Sequence, residues 1–335
     1  MSNCLNFSML FKTSLGSING GESESNIITA KKVTLPDGRS LPYLSGQCIR
    51  RMLKERFAEM GEVLSPINAP EAQEQESRKR AKSPDFTSGD PATYIDDDLL
   101  GYLQAEKKEV RRRTAPVRAS AAVGLFPYAG DRDYGTRSKE ASREEVTEEG
   151  GQKLTGNIFE TEIYYNIFRT TLLVELDRVG VFQPWELGKL QDLEGTRDET
   201  ERRRRVRVLA EAILNLWGGG KQSRLLTDLG PKLLIYTRQS RKNPILLEAL
   251  MMDDQQQLQI QPLVEALSDY RQYLDKVIVG VRTGFISDEQ KNQLQEELTK
   301  VNGLADKLTF DSIGKASLAI FNDIDQMELP QSREV

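Results

Sequence analysis

Strand-like and helix-like segments alternate in one order along the first 240 residues of this 335-residue chain, and that order constrains the fold most. The segment CLNFSMLFK alternates apolar and polar residues, as a half-buried strand does. An amphipathic helix near 45–60, two strand-like runs at 117–128 and 161–182, a second amphipathic helix from Asp198 and the strand-like PKLLIYTR follow. Strand, helix, strand, strand, helix, strand is the order of the ferredoxin-like split arrangement, which RNA-recognition modules also use. The sequence therefore predicts an α+β fold of the ferredoxin-like or RRM-like type.

Two insertions interrupt this order, and a third region follows it. Residues 61–98 include a stretch rich in Pro, Glu, Gln, Ser and Lys, which predicts a helical or flexible insertion. Residues 128–162 are charged and too long for a tight turn, but strand-like runs flank them, so they predict a projecting hairpin or loop. Residues 241–335 have a mainly helical and acidic pattern, in which 262–281 are interpreted as helix.

The charge of the chain is slightly acidic in total but unevenly distributed. It has 46 basic and 51 acidic side chains, for a net charge of -5. A protein that coats nucleic acid without specificity usually has a basic excess, which argues against that class here. Basic residues nevertheless concentrate around the first helix, at Lys31, Lys32, Arg39, Arg50, Arg51, Lys54 and Arg56. The pattern predicts one local basic surface on an otherwise acidic protein.

The chain contains no histidine, which removes histidine-dependent triads, histidine-ligated metals and imidazole acid–base catalysis from the possible functions. Cys4 and Cys48 have neither the spacing of a zinc site nor partners for a disulfide framework. There is no long apolar run and no basic-then-apolar leader. Carboxylates, Lys, Tyr or a carboxylate-bound metal remain for any chemistry, which puts enzyme hypotheses at a disadvantage. We expect a soluble, cytoplasmic, non-catalytic protein without a cofactor, a metal or a membrane partner.

The first helix begins in the stretch LSGQCIRR, where several features favour an anion. Ser45 is a candidate N-cap, and the backbone amides of Ser45, Gly46 and Gln47 lie at the positive end of the helix dipole. Arg50 and Arg51 fall off the apolar stripe of the helix, which is formed by Ile49, Met52, Leu53, Phe57 and Met60. This combination predicts a phosphate cradle; an ordinary solvated face on a capped helix is the alternative.

A glycine-rich segment, WGGGKQSR, ends the second helix. Gly218, Gly219 and Gly220 allow the backbone to approach a ligand closely, and Lys221 and Arg224 add positive charge beside them. The segment lacks the spacing of a P-loop, so nucleotide hydrolysis is not indicated. A flexible helix end and turn is the alternative.

Arginines cluster at two further places. Arg111, Arg112 and Arg113 precede a strand-like run, where a solvated strand end is the alternative to RNA contact. Residues 202–205 are four arginines at the start of the second helix and are interpreted as solvated. Glu199 and Glu201 can compensate for their unfavourable place at the positive end of the helix dipole.

Five stretches together resemble a known family. In chain order they are NIITAKKVTLPDGRSLPYLSGQCIRRML, DDDLLGYL, VRASAAVGLFPYAGDRDYGTR, ETEIYYNIFRTTLLVELDRVG and VLAEAILNLWGGGKQSR. They are similar to the backbone subunit of type I (I-B-like Cascade) CRISPR effector complexes, in the DevR branch of the RAMP superfamily. The resemblance implies an RRM-like palm over residues 1–240, a thumb hairpin at 128–162 and assembly of many copies along a guide RNA.

The resemblance also implies which residues contact RNA. The family's guide-contacting helix start matches Ser45, Gly46, Gln47, Arg50 and Arg51. Its glycine-rich loop matches Gly218, Gly219, Gly220 and Lys221, and Lys32, Arg111, Arg112, Arg113 and Arg224 complete the predicted RNA-binding set. The implied partners are the CRISPR guide RNA, the target DNA strand paired to it, copies of the same chain and other effector-complex subunits. Base pairing would then read the sequence, while the protein recognises backbone and shape.

Two other functions are considered. Related subunits of type III complexes cut target RNA with a loop aspartate, so Asp96, Asp97, Asp98, Asp131 and Asp133 are candidate ligands of a divalent cation. A helix-rich scaffold without a nucleic-acid role is the third hypothesis, but it leaves the basic segments and the glycine-rich loop unexplained.

Overall fold

The computed structural model describes residues 2–24, 27–68, 86–106, 109–137, 157–187 and 197–330. The elements before the first insertion are β1 (Cys4–Gly16), β2 (Gly20–Glu24), β3 (Ile27–Ala30), β4 (Lys32–Thr34), β5 (Ser40–Leu44) and α1 (Gly46–Glu59). The next are β6 (Ile67–Asn68), β7 (Phe86–Thr87), α2 (Ile95–Leu100), β8 (Tyr102–Glu106), β9 (Glu109–Arg113), β10 (Val117–Ala119), β11 (Ala122–Gly124), β12 (Gly130–Arg137) and β13 (Asn157–Glu175). The last are α3 (Pro184–Leu187), α4 (Glu199–Leu214), β14 (Leu233–Gln239), α5 (Ile260–Tyr270), β15 (Leu274–Val281), α6 (Asp288–Lys300), β16 (Leu308–Ser312) and α7 (Ile313–Gln326).

One large, mostly antiparallel sheet organises these elements. Its strands follow the order β16-β15-β14-β1-β13-β11-β5-β4, and β10 also pairs with β13. Among the described strand pairs, β3 with β13 and β15 with β16 are parallel. The protein is therefore a mixed α+β protein, as the sequence predicts at that level of detail.

The 19-residue strand β13 joins the core to the predicted hairpin. Its second half pairs with β1, from Asn166 opposite Thr13 to Glu175 opposite Cys4. Its first half pairs antiparallel with β12. The two strands at the base of the projecting segment thus form a hairpin that continues the central strand, while residues 138–156 lie outside the described ranges.

Apolar side chains fill both faces of the sheet. In β1, Leu5, Phe7 and Met9 belong to the cluster under α1, α4 and α7, whereas Leu10 belongs to the cluster under α5 and α6. Successive side chains of a strand point to opposite faces, so one strand supplies both clusters. Burying these faces provides most of the free energy that holds α1 and α4 in place.

The C-terminal region differs from the helical expectation. It contains α5, α6 and α7, but LDKVIVGV, interpreted as the end of a helix, is the strand β15. This strand lies between β14 and β16 and is covered on both faces, so its apolar residues form a continuous run without a strand period. Such a run cannot be told from a buried helix by periodicity, although its Val and Ile content favours a strand.

The first insertion is partly built into the fold. Strands β6 and β7 pair with each other, α2 packs beneath α1, and residues 69–85 lie outside the described ranges. Within the part of the chain that is described, no helix has the length and apolar character needed to cross a bilayer.

Candidate nucleic-acid interface

The start of α1 has the geometry of a capped helix. Ser45 is in an extended backbone conformation, and its Oγ accepts a hydrogen bond from the Cys48 N–H at 3.2 Å. The amides of the first turn, including those of Gly46 and Gln47, have no partner within the helix. A Cβ on Gly46 would lie 2.8 Å from the Ala119 carbonyl oxygen, so glycine allows α1 to begin this close to β10. The predicted N-cap is confirmed.

Arg50 is the most distinctive cation of this helix. It is half-buried, and within the described ranges its guanidinium has no hydrogen bond and no ion pair. Burial lowers the pKa of Arg50 from its ordinary value, because a partly desolvated charge lacks a counter-ion. Arg51 differs: its side chain is 83 % exposed and pairs with Glu55 at 3.2 Å. An anion at this helix start would compensate Arg50 and could still be reached by Arg51.

The glycine-rich loop packs against this same helix. Gly219 has φ +88°, and a Cβ there would lie 2.5 Å from Ile18 Cγ2 and 3.0 Å from the Met52 side chain of α1. The N–H of Gly220 donates to the Ile18 carbonyl at 2.7 Å. Lys221 also has a positive φ, of 61°, beside these glycines. The glycine-rich loop therefore lies against the middle of α1, near Met52, and beside Ile18, which follows β1.

Two further predicted cations lie against the base of the hairpin. Lys32 Nζ is 2.8 Å from Glu162 Oε2 on β13, and it lies 4.2 Å from the centre of the Tyr128 ring. Arg224 forms an ion pair with Asp133 on β12. We call the surface formed by the α1 start, the glycine-rich loop, Lys32 and the hairpin base the palm groove.

The three arginines at 111–113 lie elsewhere, on β9, which contacts β8 and α3 rather than α1. Arg112 is exposed, and Arg111 is half-buried and donates to the Gln104 side chain. The prediction that Arg113 binds RNA is corrected by the structure, because its guanidinium is fully buried and pairs with Asp98 at 2.6 Å and with Glu186 at 2.7 Å. A guanidinium with these partners and no exposed surface has no access to RNA.

The interpretation of residues 202–205 as solvated is wrong for the first and last arginine. Arg202 is 5 % exposed and donates to the carbonyls of Val179, Leu176 and Pro330. Arg205 is 1 % exposed and pairs with Asp98 at 2.7 Å. The reason is that the start of α4 packs into the fold, where these guanidinium groups satisfy buried carbonyls and a buried carboxylate.

The candidate metal-binding aspartates of α2 are occupied by protein partners. Asp96, Asp97 and Asp98 are all at most 1 % exposed. Asp96 pairs with Lys54 at 2.8 Å, and Asp98 lies between Arg113 and Arg205 and accepts the Gly180 N–H. Asp97 accepts the Asp90 N–H, and burial raises its pKa. Among the described residues, no group of three acidic or cysteine side chains is arranged to hold a metal ion.

The sequence interpretation missed the acidic side of the palm groove. Glu162 was not singled out, and Asp133 was considered only as a metal ligand, yet each pairs with a predicted RNA-binding cation. Lys32 and Glu162 are 130 positions apart, so no local pattern connects them.

Comparisons with known proteins agree on one family. A family model described as CRISPR-associated negative auto-regulator DevR/Csa2 matches residues 7–245. A protein named CRISPR-associated protein Cas7/Cst2/DevR, from Myxococcus xanthus (strain DK1622), is 34 % identical over 146 residues. That match covers 39 % of this chain and 46 % of the relative, so the chain spans about half the length of this relative.

Solved structures show the same fold at low sequence identity. A chain of a structure described as a CRISPR RNA-guided surveillance complex, pre-nicking, aligns with a TM-score of 0.58 and 12 % identity, covering 96 % of this chain and all of that one. A second, described as a CRISPR RNA-guided surveillance complex, aligns with a TM-score of 0.52 and 15 % identity, covering 95 % and 99 % of the two chains. Because the family model spans most of the chain, the resemblance found in its motifs is confirmed: this chain belongs to the DevR family of CRISPR-associated proteins.

Proposed function

We propose that this chain is a non-catalytic guide-RNA-binding backbone subunit of a cytoplasmic CRISPR effector complex. Copies of it would assemble along the guide RNA, hold its phosphates in the palm groove, contact other subunits and present the guide for pairing with target DNA. Base pairing would read the target sequence, since the groove offers cations and backbone amides rather than base-specific contacts.

The observation that carries this proposal is that the glycine-rich loop packs against α1, the helix whose start has the phosphate-binding geometry. First-turn amides without a helical partner and a half-buried, uncompensated Arg50 belong to this helix, and a loop with positive backbone angles packs on it. Helix starts and such loops bind phosphate because their N–H groups point at the anion. Lys221 and Arg51 supply additional charge at the edge, as a strand of successive phosphates requires.

The strand order supports a palm of the RRM-like type within this function. Strands β14, β1, β13 and β10 or β11 are neighbours in that order, and α1 and α4 share one apolar cluster on one face. This corresponds to the spatial arrangement of the ferredoxin-like unit inferred for residues 1–240. The other face of β14 is covered by residues of α5 and α6, which favours RNA binding at the helix side rather than on the sheet.

The proposal assigns no cleavage to the chain. The buried partners of Asp96 and Asp98 leave these carboxylates little capacity to bind a cation, and no specific observation favours the type III-like nuclease. Incubation with guide, target RNA and Mn²⁺ tests this directly. Metal-dependent cutting that is lost in Asp131→Asn or Asp97→Asn would replace the proposal by the enzyme hypothesis.

The groove itself is tested by Arg50→Ala, with Arg204→Ala as the control. Arg204 is a partly exposed arginine on α4 that pairs with Glu201 and Glu62, outside the groove. We expect Arg50→Ala to weaken binding of single-stranded guide RNA by on the order of 1–3 kcal/mol through loss of a charge-assisted hydrogen bond. The slope of the logarithm of the binding constant against the logarithm of the salt concentration should become shallower by roughly 0.7, the value for one phosphate contact on a single strand.

Binding is measured by fluorescence anisotropy at several salt concentrations, and the unfolding midpoint of each variant is recorded. Sedimentation with guides of increasing length measures assembly, which should give particles that grow with RNA length for the wild type. If Arg50→Ala binds as the wild type does while Arg204→Ala is impaired, the groove has been assigned to the wrong helix.

A further inference from the structure

Both strands of the thumb hairpin are tied to the palm groove by ion pairs. Glu162 of β13 binds Lys32 on β4, and Asp133 of β12 binds Arg224, which follows the glycine-rich loop. The four side chains are between 12 % and 36 % exposed, so both pairs lie at the surface of the groove where an incoming polyanion would reach them.

The Glu162 pair is well defined. The same carboxylate oxygen that accepts from Lys32 also accepts the Ala30 N–H at 2.9 Å, and the Lys32 ammonium lies over the Tyr128 ring. Burial alone would raise the pKa of Glu162, but the hydrogen bonds from Lys32 and the Ala30 N–H outweigh it and lower the pKa. Glu162 is therefore charged at neutral pH and neutralises Lys32.

These pairs place carboxylates where guide phosphates are expected. Arg50, on the helix of the same groove, has no such partner among the described residues, whereas Lys32 and Arg224 each face a carboxylate of the hairpin. A phosphate reaching Lys32 or Arg224 must compete with a carboxylate of the same charge. Because ion pairs of this exposure are weak, a strand of phosphates held elsewhere in the groove can displace them.

We propose that the Lys32–Glu162 and Arg224–Asp133 pairs form an electrostatic latch, in which Glu162 and Asp133 occupy two cations of the palm groove in the RNA-free protein and lower its affinity for RNA. Guide phosphates open the latch by replacing Glu162 at Lys32 and Asp133 at Arg224, while the backbone pairing of β13 with β1 and β3 keeps the base of the hairpin in place. This inference rests on the proposed guide-RNA function and adds its regulation. The two carboxylates thus limit the affinity of the groove for RNA.

The sign of a mutational effect distinguishes a latch from a permanent support. The variants are Glu162→Gln and Asp133→Asn, singly and together, since both keep an oxygen acceptor and remove only the charge. A latch competes with RNA, so each variant should bind labelled single-stranded guide RNA about two- to fivefold more tightly than the wild type. A permanent support positions the cations, so each variant would bind equally or more weakly, which overturns the latch.

Matched controls come from the same two strands. Glu160→Gln removes a carboxylate that pairs with Arg132 inside the hairpin, and Asp131→Asn removes one that accepts the Arg132 N–H. Both change the charge of the hairpin as much as the test variants do without touching a palm cation. An equal gain in the controls would mean that overall charge, and not the latch, sets the affinity.

Failure of the proposed function has a different signature, namely a wild type that does not bind guide RNA or binds it independently of Arg50. A wild type without RNA binding overturns both proposals, whereas Arg50-dependent binding without a gain in the test variants overturns the latch alone.

Discussion

Replacing Asp98 by Asn should destabilise the protein strongly, because this carboxylate is the centre of a buried charge network. Asp98 has no exposed side-chain surface, and its two oxygens accept from Arg113 at 2.6 Å, from Arg205 at 2.7 Å and from the Gly180 N–H at 2.9 Å. An Asn amide would turn an NH₂ group toward one set of donors and remove the negative charge between two buried guanidinium groups. Donors that lose their buried partner cost more than the pair contributes when intact.

The size of the loss follows from the remaining partners. Breaking a buried pair costs about 3–5 kcal/mol, and we expect about 3 kcal/mol here because Arg113 retains Glu186 and Arg205 retains Glu201. This is a large fraction of the roughly 5–15 kcal/mol that stabilises a protein domain. With a urea m-value of about 3 kcal/mol/M, the unfolding midpoint should fall by about 1 M.

Equilibrium urea unfolding of Asp98→Asn and of the exposed control Asp131→Asn tests this reasoning. The control should stay within about 0.5 kcal/mol of the wild type, as surface substitutions usually do. A loss below about 1 kcal/mol for Asp98→Asn would refute the view that Asp98 is a structural anion held by two arginines. A midpoint raised by Mn²⁺ in the wild type but not in the variant would instead support the metal hypothesis.

Two further substitutions test the packing of the glycine-rich loop and the dependence of the unfolding free energy on pH in acid. Gly219→Ala should lower the unfolding free energy by about 2 kcal/mol or more, since its Cβ would meet Ile18 at 2.5 Å. The control Gly38→Ala has a similar φ but open space around its Cβ, so it should cost only about 1 kcal/mol. Equal losses of stability in thermal unfolding would contradict the close packing at Gly219. For Glu175, burial alone would raise the pKa, but hydrogen bonds from Lys242 and Arg118 outweigh it and lower the pKa from its ordinary 4.5. The stabilising contribution of Glu175 is therefore complete above about pH 4.5 and is lost as the pH falls through the lower pKa of the folded state. The unfolding free energy of the wild type should fall more steeply below pH 4.5 than that of Glu175→Gln. Parallel decreases of the two unfolding free energies would show that Glu175 is not a paired carboxylate.

The first helix shows which features were predictable from the sequence. Its N-cap Ser45 and its buried stripe of Ile49, Met52, Leu53 and Phe57 appear in the structure as the pattern indicated. Both features depend on residues within four positions of each other, so they can be read without knowledge of the fold. The family, the mixed α+β class and the hairpin base were accessible for the same reason, since local patterns and contiguous motifs carry them.

Charged residues were predictable only where they stay near the surface. Arg113, Arg202 and Arg205 look like any solvated arginines in the sequence, yet each is buried against carbonyls or carboxylates from other elements. The run at β15 was misread because its neighbours on both sides and on both faces determine that it is a strand. Nothing in a local window indicates which distant group will accept from a guanidinium or cover a strand.

The sequence by itself therefore determined the capped amphipathic helices, most of the apolar strands and the family, and it predicted which cations could meet a phosphate. The tertiary structure alone decided which cations are free and which are neutralised: Arg50 is left without a partner among the described residues, whereas Lys32 faces Glu162 and Arg224 faces Asp133. The physical reason is that these interactions act over different separations along the chain. Helix capping and periodicity act between neighbours in the chain, whereas the desolvation and pairing of a charge depend on every group that folding brings within a few ångströms of it.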